Sequence, residues 1–134
     1  ALTMGAHPRP DDAKIKSVAR HFGLEHVLTR LDGLDGRIAE NGGNLSSGEI
    51  RRVLLTRAAL TPADLLLLDD FDQTLDDSGI RLVDELIHKN DATVLVVSRN
   101  DQLLSAMDKI WTLEDGELVE QNQVAVAKKI AAVG

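Results

Sequence analysis

The spacing of apolar positions changes along the chain, and each change marks an element. Over residues 13–22, Ile15, Val18, Ala19 and Phe22 recur at three- and four-residue intervals, the period of one helix face. Asp11 or Asp12 can cap that helix and Gly23 can end it. A short helix over residues 25–31 follows, then a loop over residues 32–44 that holds Gly33, Gly36, Gly42 and Gly43. From Ser46 onward Ile50, Val53, Leu54, Ala58 and Leu60 predict a long helix. Ser46-Ser47-Gly48-Glu49 fits a capping box at its start, and Pro62 stops it.

Beyond Pro62 the helical period gives way to short continuous apolar runs. Residues 65–68 are four leucines closed by Asp69-Asp70, and residues 93–97 form a second run; both suit strands of a parallel sheet buried on both faces. Between them Ile80, Val83, Leu86 and Ile87 predict a helix capped by Asp76 or Asp77 and reaching about Asn90. A short helix over residues 101–107 follows. Asp115-Gly116 between two apolar stretches signals a hairpin. Residues 123–133 read as a closing helix, and residues 1–10 as a loop. Helices therefore come first, then strand–helix–strand–helix, then a hairpin: an α/β chain.

Composition narrows the function classes. A chain of 134 residues with 43% hydrophobic content suits one small globular core. The net charge of −7 argues against a broad nucleic-acid face, although backbone amides can still build a local anion site. With no cysteine there are no disulfides or thiolate metal sites. The apolar runs fall far short of the roughly 20 residues of a membrane span, and residues 1–10 hold no apolar signal core. The chain opens without methionine in mid-pattern and reads as a piece of something longer.

Two places carry candidate chemistry. The strand over residues 65–68 delivers Asp69 and Asp70 to its carboxyl end, where open α/β sheets bind ligands. One carboxylate there could hold Mg²⁺ and the other could position a water; equally, both could face solvent or cap the next turn. Leu45-Ser46-Ser47-Gly48-Glu49 places backbone amides at the positive end of a helix dipole, suited to phosphate or to plain capping. The four histidines, His7, His21, His26 and His88, show no metal-ligand spacing and read as surface or boundary residues. Trp111 reads as hairpin core. Of the aspartates from Asp69 to Asp77, all but Asp69, Asp70 and Asp76 read as solvated.

The order and spacing of these pieces resemble the ATP-binding cassette family. Residues 45–49 look like the signature LSGGQ, residues 65–70 like Walker B, and residues 70–76 like the D-loop E-P-T-S-A-L-D. Residues 93–99 match the strand leading to the switch histidine, and residues 108–120 the closing hairpin A-D-R-I-x-V-L-x-x-G-x-I-V-E. Residues 33–42, G-L-D-G-R-I-A-E-N-G, are similar to the exporter-type loop G-L-D-T-x-V-G-E-x-G. The resemblance runs from about Leu2 to Gln121.

It implies the C-terminal part of a P-loop ATPase domain: a helical signature subdomain with the exporter-type loop over residues 1–44, and the signature helix, ATPase core part, closing hairpin and C-terminal helix over residues 45–134. Leu45, Ser46, Ser47, Gly48 and Glu49 would contact ATP held by a second nucleotide-binding domain, in a homo- or heterodimer. Asp69 would bind Mg²⁺, Asp70 would orient water, Arg99 would sense the γ-phosphate, and Asp76 would link the two sites. Transmembrane domains, on the same polypeptide, would hold the domain at the cytoplasmic face of the membrane, and no nucleic acid is implied.

The sequence departs from the family pattern in several places. It contains no G-x-x-x-x-G-K-[ST], so the chain alone is expected to be inactive. Asp70 stands for glutamate, Arg99 for histidine, Phe71 for proline and Ser47 for the first signature glycine, which points to a degenerate site. Two other readings share these motifs: a non-transport cassette ATPase of chromosome maintenance or repair, and a non-catalytic cassette kept for interaction.

Overall fold

A computed structural model describes residues 1–121 and the backbone of residues 129–133. The chain forms two compact units, Ala1–Pro62 and Ala63–Gly134, so the helix that starts after Ser46 packs with the elements before it. Among the described residues no helix is long and apolar enough to cross a membrane.

The first unit is helical. Helix α1 (Asp12–His21) is capped by Asp11, whose carboxylate accepts from the Lys14 N–H at 2.7 Å. Gly23, at φ +73°, lets the chain turn out of α1 in the left-handed region and enter α2 (Glu25–Arg30). Ala19, Leu24 and Val27 form a buried cluster, with Leu2, Leu28, Leu31, Leu45 and Val53 packed against it. Gly33, Gly36 and their neighbours help line a cavity of about 240 Å³ beside that cluster. A 3₁₀ turn (Glu40–Gly42) precedes α3 (Ser47–Leu60).

The buried face of α3 differs from the predicted stripe. Leu55, Thr56 and Leu60 are buried, whereas Ile50, Val53, Leu54 and Ala58 are half-buried. Thr56 serves as an interior residue because its hydroxyl donates back to the Arg52 carbonyl at 2.8 Å, which leaves no unmet donor.

The second unit is a five-stranded sheet in the order β1-β2-β5-β3-β4. Strand β1 (Leu65–Asp69) pairs in parallel with β2 (Thr93–Val97), Leu65 opposite Thr93 and Asp69 opposite Val97. Helix α4 (Asp77–Lys89) connects them, with Ile80, Val83, Leu86 and Ile87 buried as the pattern predicts. Helix α5 (Asp101–Ser105) leads to the antiparallel hairpin of β3 (Lys109–Glu114) and β4 (Glu117–Gln121). Its turn has Asp115 at φ +48° and Gly116 at φ +85°, the two positive values of the tight hairpin turn that Asp-Gly favours.

Two expectations are corrected here. Lys129–Val133 is a strand, β5, parallel to both β2 and β3, rather than the end of a helix over residues 123–133; residues 122–128 of that stretch lie outside the described residues. The facing edges of β2 and β3 need backbone partners, and that tertiary demand overrides the helix preference of the alanines. The leucine strand is also not buried on both faces. It ends the sheet, Leu68 is buried, and Leu65 and Leu67 on the opposite face are 54% and 62% exposed.

Candidate functional site

The predicted site residues fall into two groups, one in each unit. The first is the turn into α3. Ser46 adopts extended backbone as N-cap; its hydroxyl accepts from the Glu49 N–H at 3.2 Å, and the Glu49 carboxylate accepts from the Ser46 N–H at 2.8 Å. This closes the predicted capping box and uses two of the orphan donors of the helix start. Among the described residues no acceptor meets the N–H groups of Ser47 and Gly48. Ser46 and Ser47 are exposed and Gly48 is half-buried, so these amides lie at the surface at the positive end of the helix. Leu45 anchors the turn in the Ala19–Leu24–Val27 cluster.

Glu49 is tied to more than the cap. Arg30 on α2 donates to both of its oxygens, Nη1 to Oε1 at 3.0 Å and Nη2 to Oε2 at 2.9 Å. His26 Nε2 lies 2.9 Å from Oε1. The Arg30 fork and the Ser46 amide, with a smaller contribution from His26, outweigh burial and hold the Glu49 carboxyl down at about 2. The same pairing raises the Arg30 pKa. Arg30 also donates to the Asn44 carbonyl at 3.3 Å, and the Asn44 side chain bonds Ala39 N–H at 2.9 Å and the Arg37 carbonyl at 3.0 Å. The glycine-rich loop, α2 and the signature turn are thus one hydrogen-bonded assembly. Sequence reasoning missed Arg30 and His26, because they are 19 and 23 residues from Glu49 and no local pattern links them.

The second group sits at the carboxyl ends of β1 and β2. Asp69 is the last residue of β1 and is exposed. Asp70 follows at φ +45°, a left-handed conformation that aspartate tolerates better than most residues, and its N–H donates to the Val97 carbonyl at 3.1 Å. Ser98, 1% exposed, donates to Asp72 Oδ2 at 2.7 Å and accepts the Asn100 N–H at 2.9 Å. Asp72, predicted to be solvated, is therefore half-buried and joined to the end of β2. Arg99 is exposed at the same edge. Pairing of β1 with β2 thus brings Asp69, Asp70 and Arg99 to one sheet edge, with Ser98 and Asp72 bracing the turn.

Asp76 caps α4, accepting from the Gly79 N–H at 2.8 Å and the Ser78 hydroxyl at 2.9 Å. A Cβ at Gly79 would lie 2.9 Å from Leu75 side-chain atoms, so a larger residue there requires Leu75 to shift. Phe71, at the proline position, is buried. Among the described residues no three His, Cys, Asp or Glu side chains cluster as a metal cage.

No protein-family model matches the chain. Among curated proteins it is 33% identical over 120 residues to the glutathione/L-cysteine transport system ATP-binding/permease protein CydC of Escherichia coli, an alignment covering 87% of this chain and 20% of that protein. It is 32% identical over 120 residues to the ATP-dependent lipid A-core flippase of Neisseria meningitidis, covering 86% and 19% respectively. The flippase of Vibrio parahaemolyticus is 35% identical over 106 residues, with 76% and 18% covered. The chain thus spans about a fifth of the length of these relatives. Among solved structures, a bacterial Atm1-family ABC exporter with ATP bound superposes with a TM-score of 0.74 at 23% identity, covering 89% of this chain and 21% of that one, a likeness of fold. With relatives at this identity along most of its length and the same fold, the chain belongs to the ATP-binding cassette family, in its exporter branch.

Proposed function

We propose that this chain is the signature and Walker B part of an exporter's nucleotide-binding domain, and that the protein carrying it couples ATP binding and hydrolysis to export of a substrate across a membrane. The observation that carries the reading is the sheet edge where Asp69 ends β1 and Asp70 follows it, beside Ser98 and Arg99 just after β2. That is where a parallel sheet binds its ligand.

In this reading Asp69, exposed at the end of β1, would hold Mg²⁺. The donor set fits, because Mg²⁺ at a nucleotide takes only one or two protein carboxylates and fills its remaining positions from phosphate and water. Bound there, Mg²⁺ would neutralise phosphate charge. Asp70 accepts a proton from the attacking water and orients it. Its left-handed backbone, pinned to the Val97 carbonyl, sets the direction of the short side chain. Arg99 donates to the γ-phosphate but cannot shuttle protons. The Ser47 and Gly48 amides, with Ser46, contact nucleotide held by a second nucleotide-binding domain, and Asp76 relates the two sites through the start of α4. Transmembrane domains would hold the assembly at the cytoplasmic membrane face.

Turnover of Mg-ATP by the full-length protein tests this. Asp70→Asn should lower it by a factor of ten or more, on the order seen when a proton-accepting group is lost. Asp70→Glu should raise it, since the extra methylene returns about 1.5 Å of reach, and Arg99→His should add to the gain. An Asp70→Asn protein with unchanged turnover would refute the assignment.

A further inference from the structure

We propose that Arg30 is a positioning residue for the signature turn: by neutralising Glu49 it keeps the Ser47 and Gly48 amides fit to receive a phosphate oxygen. The inference rests on the reading above and extends it to a residue outside the motif.

Glu49 is needed at its position for the cap. Its carboxylate holds the Ser46 N–H, which fixes the start of α3 and aims the next two amides outward. That same carboxylate is a full negative charge within one helical turn of those amides, and it stays ionised throughout the physiological range. Left alone, it would oppose the helix dipole and repel a phosphate. The Arg30 fork meets both carboxylate oxygens in the bidentate geometry that pairs charge with charge and fixes orientation. Glu49 is only 12% exposed, whereas Arg30 is 47% exposed. The carboxylate is therefore the fixed member and the arginine approaches it from solvent. The third Arg30 contact, to the Asn44 carbonyl, ties the residue just before Leu45 to the same guanidinium. Arg30 thus both cancels the charge and holds the approach to the turn. His26 Nε2, also beside Oε1, is a hydrogen-bond partner and does not replace the permanent charge of the guanidinium.

Charge cancellation and a purely structural role for the ion pair lead to different outcomes. If Arg30 only braced α2 against α3, Arg30→Met would lower stability in urea unfolding and leave KM for Mg-ATP unchanged in the folded protein. If it cancels a charge, removing the carboxylate charge should repair the loss of the arginine. Gln at position 49 retains an oxygen for the Ser46 N–H while losing the charge.

The experiment is steady-state Mg-ATP hydrolysis by the full-length protein and its Arg30→Met, Arg30→Lys, Glu49→Gln and Arg30→Met/Glu49→Gln variants. Arg30→Met should raise KM for Mg-ATP by about five-fold, the scale of one uncompensated charge acting partly through water, with kcat changed less than about two-fold. Arg30→Lys should keep most of the affinity. The double variant should return to within about two-fold of Glu49→Gln. An unchanged KM in Arg30→Met, or a double variant as impaired as Arg30→Met, overturns the proposal. Asp70→Asn in the same assay separates the levels. If it abolishes turnover while the double variant fails to recover, this inference alone falls; if it leaves turnover unchanged, the parent reading falls and this inference with it.

Discussion

Protonating Glu49 should unlock the helical unit, and the structure sets both the direction and the pH window. The folded state holds this carboxyl at about 2, against an ordinary 4.5, chiefly through the Arg30 fork and then the Ser46 amide. A depressed carboxyl pKa stabilises the fold fully above the unfolded value. That stabilisation is lost as the pH falls from about 4.5 through about 2. Each tenfold change in proton affinity is worth about 1.4 kcal/mol, so the ceiling is about 3 kcal/mol. Arg30 and His26 are both largely in solvent, which screens the pair, so we expect about 1–2 kcal/mol. Glu49 is one of 22 acidic residues in the chain. The proper reference is therefore Glu49→Gln, which keeps the cap acceptor and removes the titration. Urea unfolding followed by helical circular dichroism reads the first unit together with α4 and α5, and Trp111 fluorescence, which reports on the second unit, separates the two. Wild type should exceed Glu49→Gln by about 1–2 kcal/mol near neutral pH, with the gap closing below about pH 4.5. A gap that stays constant down to about pH 2.5, or that widens, would mean that the Glu49 charge does not stabilise the fold through Arg30.

Two further outcomes follow from the second unit. Ser98→Ala removes the hydroxyl that serves both Asp72 and the Asn100 N–H, and should cost about 1–2 kcal/mol in urea unfolding followed by Trp111 fluorescence; a loss below about 0.3 kcal/mol would mean the Asp72–Ser98 link is not holding the turn. Strand β1 ends the sheet with Leu65 and Leu67 exposed, so the 134-residue chain should self-associate at micromolar concentration through Leu65–Asp69, and Leu67→Lys should restore a monomer; light scattering that finds wild type monomeric would show that this edge is protected.

What could be read from the sequence is what is decided locally. The Ser46 capping box needs residues three apart, the Asp115-Gly116 turn needs two adjacent ones, and the α4 stripe repeats within one helix. Each is specified by chemistry contained in a few residues, and each appears in the structure as predicted. Strand β5 is decided differently. Its apolar run with alanines suits a helix as well as a strand, and the choice is made by two unpaired edges, β2 and β3, that sequence reading cannot see. The same holds for Leu65 and Leu67: four successive leucines predict burial on both faces, but strand position within the sheet decides which of them are covered.

The site shows this division most sharply. Its motif residues were legible one by one, yet each has a generic role that any fold could use, a helix cap at Ser46 and Glu49 or strand-end acids at Asp69 and Asp70. The partners make the difference, and they are all distant in sequence: Arg30 for Glu49, Ser98 for Asp72, the Val97 carbonyl for the Asp70 amide. None of these belongs to a local pattern, and each changes what a motif residue can do. Arg30 turns a charged cap into a neutral one. Ser98 turns an aspartate predicted to be solvated into a brace. Val97 holds Asp70 in a backbone conformation that few side chains accept at low cost. Substituted motif positions, Asp70 and Arg99 among them, therefore cannot be judged by residue type alone. The left-handed backbone at Asp70 fixes where its carboxylate leaves the chain, and the arginine on the neighbouring helix offsets the charge of Glu49 beside the signature amides.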